Sequence, residues 1–214
     1  GNDVVLKGLE KVAILKGDGI LRLHWLESQL HLDPDNPELL RTHAHILVQQ
    51  GDENAEKDVR RLEALGLDTP ADRSLLAGLR HRAGSANEAI DAIEQALAED
   101  NSKPEYWIQY ANLLNEADES ERALEAVDQC LNLDRQVGDA WALRAILLSV
   151  KQGREKEALK AATHAVALDC GGAKLIVLKA DLLAETGDLM AAEASLEKAI
   201  DKFPMDAELR SIVA

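Results

Sequence analysis

The residues that could do chemistry in this chain are six histidines, two cysteines and a large set of carboxylates. The histidines are His24, His31, His43, His45, His81 and His164. His43 and His45 lie two apart, a spacing that sends their side chains to different sides of a helix and does not make a shared metal site. No HExxH run occurs, so nothing has the spacing of a zinc hydrolase. Cys130 and Cys170 form no CxxC pair, and two cysteines in a chain of this size do not make a disulfide framework. A bridge between them depends on geometry that spacing does not fix. Gly171-Gly172 is an isolated pair rather than a phosphate-cradling loop, and neither a nucleophile elbow nor a Walker-type run is present. The residues therefore assign no catalytic group, no metal and no cofactor, and the chain is expected not to be an enzyme.

The elements that would position such residues follow from composition and pattern. In 214 residues there are 24 Lys+Arg against 39 Asp+Glu, a net charge of −15. That balance argues against nucleic acid, where affinity rests on neutralising phosphates, and against docking on an anionic membrane. The hydrophobic share of 46% argues against disorder. No stretch of 18 apolar residues occurs, so direct membrane insertion is not expected. A soluble location, cytoplasmic or periplasmic, is expected. The chain has no initiator Met, and Gly1 looks like a tag scar, so it is expected to be a fragment. Ala and Leu dominate over β-branched runs, which favours helix.

The ordering principle is an internal repeat. Small residues recur at Ala44, Ala77, Ala111, Ala145, Ala180 and Ala214, in steps of 33, 34, 34, 35 and 34. A second column runs Ala55, Ala89, Ala123, Ala158 and Ala192, and a third Ala96, Cys130, Ala165 and Ala199. Bulky residues accompany them: Trp107 and Trp141 share one slot, and Val59, Ile93, Val127 and Leu196 share another, which Ala162 fills in the fifth repeat. Trp107 and Trp141 are expected to pack between helices rather than to touch a ligand. Cys130, in a slot otherwise held by alanine, is expected to be a small buried hydrophobe. Turn residues fall at Gly51, Gly84, Gly153 and Gly187, and the Asp- and Pro-rich runs between repeats are expected to cap the following helices.

These columns resemble the tetratricopeptide repeat (TPR), whose pattern places a bulky residue, a Leu, a small residue, an aromatic, a second Ala, a further bulky residue and a Pro over about 34 positions. The resemblance implies an all-α α-solenoid, a right-handed superhelix of antiparallel helix pairs without an internal domain boundary. One domain over 3–206 is expected, with repeats at 3–36, 37–69, 70–103, 104–137, 138–172 and 173–206; 207–214 would begin a further, truncated helix. Repeat one is degenerate, with Glu10 and Arg22 in small slots. The closing Pro occurs only at Pro34 and Pro204; Leu67, Asn101, Arg135 and Cys170 hold that slot elsewhere.

The resemblance further implies a concave groove, lined by the first helix of each repeat, that binds peptides. Helical phase assigns Arg41, His45, His81 and Arg82 to a mildly basic early groove. It assigns Ile108, Gln109 and Asn112, then Ala142, Leu143, Ile146, Val177, Leu178 and Asp181, to a later, apolar one. An Asp at Leu143 is expected to abolish partner binding without unfolding the chain. Some family members grip a C-terminal carboxylate with Lys, Asn and Arg at fixed slots. Asn112 and Lys174 fill two of these, but Ile108, Leu143 and Leu178 replace the rest, so that use is not expected. The leading expectation is a non-catalytic scaffold holding a partner protein or peptide in its groove. Two alternatives stand beside it. One is a recruiting or assembly segment of a larger bacterial protein, in polysaccharide export, secretion, cytochrome maturation or glycosyl transfer. The other is a self-assembling module, forming homo-oligomers through an uncapped C-terminal end.

Overall fold

The computed structural model describes residues 19–66 and 68–203. The expectations for Glu10, Leu67, Pro204, Ala214 and the helix over 207–214 lie outside these residues. The described residues contain eleven α-helices and no strand. By their contacts they divide into two compact units, Gly1–Glu99 and Asp100–Ala214.

The first unit contains α1 (Gly19–Leu32), α2 (Pro37–Gln50), α3 (Ala55–Ala64), α4 (Pro70–Arg82) and α5 (Ala86–Glu99). Chain punctuation sets their limits. The Asn36 side chain accepts from the amides of Glu38 and Leu39, Pro37 occupies the first turn, and α2 ends at Gly51 with φ 74°. The Thr69 hydroxyl caps the amide of Asp72, while Asp72 accepts from the amide of Thr69; this reciprocal box begins α4. α2 packs on α3 and α4 on α5, each pair joined by a short turn.

The second unit repeats that hairpin three times: α6 (Pro104–Glu116) with α7 (Ser120–Leu133), α8 (Gly138–Ser149) with α9 (Glu155–Ala167), and α10 (Gly172–Glu185) with α11 (Leu189–Lys202). α8 also touches both α6 and α10, so the three first helices lie side by side. Trp107 and Trp141 donate their indole N–H to the carbonyls of Asn101 and Arg135, 2.8 and 2.9 Å away, pinning the preceding loop in successive repeats. They are half-buried, as a packing role requires.

The small-residue columns are the core. Ala44, Ala77, Ala111 and Ala145 are fully buried, and Ala180 nearly so. Ala55, Ala89, Ala123 and Ala158 are likewise sealed, as are Ala96, Cys130, Ala165 and Ala199. Small side chains let the helix axes approach, and Leu47, Ile93, Leu114, Val127 and Leu148 fill the space left between them. Both cysteines are free thiols. Burial pushes the Cys130 thiol up to about 11, which leaves it protonated and unreactive at neutral pH.

Candidate functional site

In the first unit the expected basic zone is largely committed to the fold. Arg41 on α2 donates from Nε to Asp72 on α4, 3.0 Å from Oδ2, and Nη1 reaches Glu38 at 3.3 Å. Asp72 is buried, so Arg41 supplies the countercharge for a carboxylate that also serves the α4 cap. Arg82 donates to the carbonyl of Val48 at the end of α2. His45 is exposed on α2, and His81 is half-buried on α4. A further pair went unread in the sequence: His43 Nδ1 lies 2.6 Å from Asp58 Oδ2, linking α2 to α3. The hydrogen bond to Asp58 raises the His43 pKa above the ordinary histidine value, against the opposing pull of burial.

In the second unit the aligned α6, α8 and α10 bring the later residues together. Ala142 and Ile146 on α8 and Val150, the C-cap residue that keeps its right-handed backbone, follow one another at single-turn intervals along one side. Ile146 is 47% exposed and Val150 76%. Ile108 and Gln109 on α6 and Val177 and Leu178 on α10 are half-buried, while Asn112 and Asp181 are exposed. Leu143 departs from expectation. It is only 6% exposed, because its phase on α8 turns it into the core. An Asp there would bury an unpaired charge and test folding rather than binding.

The second unit also holds a cleft of about 760 Å³ that the repeat pattern does not predict, bordered by α7, α8 and α9 and containing Arg135, Trp141, Arg144, Lys160 and His164. Its signals were two departures from the repeat pattern among the residues that line it: Arg144 where the pattern has Leu and Arg135 where it has Pro. Among the described residues, no group of three or more His, Cys, Asp or Glu could hold a metal ion, and no helix is long and apolar enough to cross a membrane.

Paired helices in tandem, small residues at each crossing and first helices aligned along one face define an all-α helical-repeat solenoid. Tetratricopeptide-repeat family models match residues 80–147 and 173–201. The chain therefore carries tandem tetratricopeptide repeats. No curated protein sequence matches it. Among solved structures, PilF of Pseudomonas aeruginosa superposes with a TM-score of 0.80 at 17% identity, over 98% of this chain and 95% of its own. PilW, described as a widely conserved type IV pilus biogenesis factor, gives 0.79 at 16% identity, over 98% and 97%. YrrB, described as a TPR protein with an unusual peptide-binding site, gives 0.68 at 19% identity, over 86% and 94%. At these identities the likeness is one of fold.

Proposed function

We propose that this chain is a non-catalytic interaction module that holds a peptide or helix of a partner protein against the first-helix face of residues 100–214. The observation that carries the reading is the apolar strip of Ala142 and Ile146 on α8 with Val150 at its C-cap. Two large β-branched side chains stand in solvent one turn apart, on a chain of net charge −15. Core packing does not require their exposure, and contiguous exposed apolar surface usually marks an interaction site. Helical phase assigns half-buried Ile108 on α6 and Val177 on α10, with exposed Asn112 and Asp181, to the same first-helix face. An amphipathic helix or an extended segment with alternating apolar side chains matches that chemistry.

The test is affinity capture with the wild type and with the double variant Ile146→Asp/Val150→Asp, both checked for unchanged helical content by circular dichroism. A partner held by the wild type and lost by the variant supports the reading. Equal capture by both overturns it.

A further inference from the structure

We infer that the cleft bordered by α7, α8 and α9 is a second binding site, on the other side of α8 from the Ile146–Val150 strip, and that it takes an acidic peptide segment carrying an aromatic side chain. At about 100° per residue, Trp141 and Arg144 project opposite to Ala142, Ile146 and Val150. The two surfaces therefore share a helix but no side chain.

The buried residues of α9 are all alanines, and one of them, Ala161, lines the cleft together with Ala167 and Leu168. Ala158, Ala161, Ala162 and Ala165 are all buried, and Ala162 stands where the other complete repeats carry Val59, Ile93, Val127 or Leu196. Its wall is built from Trp141 and His164, whose rings stack at 4.6 Å between centroids with 30° between planes. The indole N–H is already spent on the Arg135 carbonyl, so Trp141 offers apolar surface rather than a donor.

Charge selects the occupant. Arg144 is paired with Asp128, and Glu157 is held by Arg154 through two contacts of 2.6 and 2.7 Å. Both cleft carboxylates are thus neutralised from within. Arg135 and Lys160 are exposed and have no side-chain partner among the described residues. Two uncommitted cations beside an aromatic wall, on a chain of net charge −15, make a local site for carboxylates. The same cations repel basic segments, which supplies specificity by exclusion. A ring inserted against Trp141 and His164 gains offset-stacking contact while its flanking carboxylates meet Arg135 and Lys160.

The experiment titrates the full chain with a panel of capped acidic peptides, each with one Phe, Trp or Leu among Asp and Glu. The indole N–H resonance of Trp141 is followed by NMR and assigned with Trp141→Phe. Aromatic members are expected to shift that resonance saturably. Arg135→Glu/Lys160→Glu, two exposed changes that leave the core untouched, is expected to weaken them by at least about tenfold. Ile146→Asp/Val150→Asp is expected to leave their affinity unchanged, which separates this site from the apolar strip. The inference is overturned if no acidic member binds, if Lys-substituted peptides bind as well, or if charge reversal has no effect. It is also overturned if citrate or inorganic phosphate alone displaces the peptides completely at equal concentration, since that describes a small-anion site.

Discussion

Asp118 occupies the position that Gly51, Gly84, Gly153 and Gly187 hold in the other repeats, and it takes their left-handed backbone with φ 60°. Aspartate tolerates that region better than most residues, yet a side chain there still costs about 1 kcal/mol. Asp118 is exposed, so its replacement disturbs no packing. Asp118→Gly is expected to raise unfolding free energy by about 0.5 kcal/mol, after the glycine's larger unfolded-state entropy is subtracted. A urea titration measures the change, and a loss of stability would contradict the strain argument. His43 makes a second prediction at this scale. Its folded pKa lies above the unfolded value of 6.5, so the Asp58 contact contributes most below that value and fades as pH rises through the folded one. Thermal melts of wild type and His43→Gln from about pH 5.5 to 8.5 should differ most at the acid end and converge toward the basic end. The negative groups that raise its pKa, after Asp58, are Glu27 and Asp52, so Asp58→Asn should remove most of the slope.

At the scale of the elements, one carboxylate joins two helices. Asp72 closes the α4 capping box and receives Arg41 from α2. Asp72→Ala removes the N3 half of the α4 capping box and the partner of Arg41 Nε, which keeps its Glu38 contact, for a combined loss of about 1–2 kcal/mol. Asp72→Asn keeps an acceptor for the Thr69 amide and should lose only part of this; chemical denaturation of both variants separates cap from ion pair. At the start of α8, a Cβ on Gly138 would lie 2.3 Å from Cys170 Sγ and 2.8 Å from Cys170 Cβ. Gly138→Ala should therefore cost about 1–3 kcal/mol through overpacking, with Cys170→Ala, which removes Sγ but keeps Cβ, restoring only part of it in the double variant. These contacts mark the limit of what the sequence made legible. The alanine columns and the turn glycines were readable, because period and left-handed turns are local constraints on residue type. The Arg41–Asp72 and His43–Asp58 pairs were not, because pairing between helices depends on the phase of both partners at once. Leu143 was misread for the same reason. It lies one position from Ala142 on α8, and one step of about 100° takes a side chain from the exposed strip into the core.

For the whole molecule, the consequence lies in where the proposed recognition surfaces fall. The Ile146–Val150 strip and the Trp141–His164 cleft both belong to the unit Asp100–Ala214, whereas Arg41 and Arg82 of the first unit are drawn into its own ion pair and helix-end hydrogen bond. Solenoid stability is approximately a sum of repeat and nearest-neighbour terms, and about three stacked repeats are needed before that sum becomes favourable. The second unit contains three complete helix pairs, α6–α7, α8–α9 and α10–α11, with contacts linking each pair to the next. A fragment of residues 100–214 is therefore expected to fold by itself, with a cooperative melt at a lower temperature than the full chain. If the first unit contributes stability rather than recognition, that fragment should retain the full chain's affinity for partner and acidic peptide within about threefold, well under 1 kcal/mol. A folded fragment that had lost either affinity would transfer that recognition to residues of the first unit. His45, exposed on α2, would then be the first to substitute.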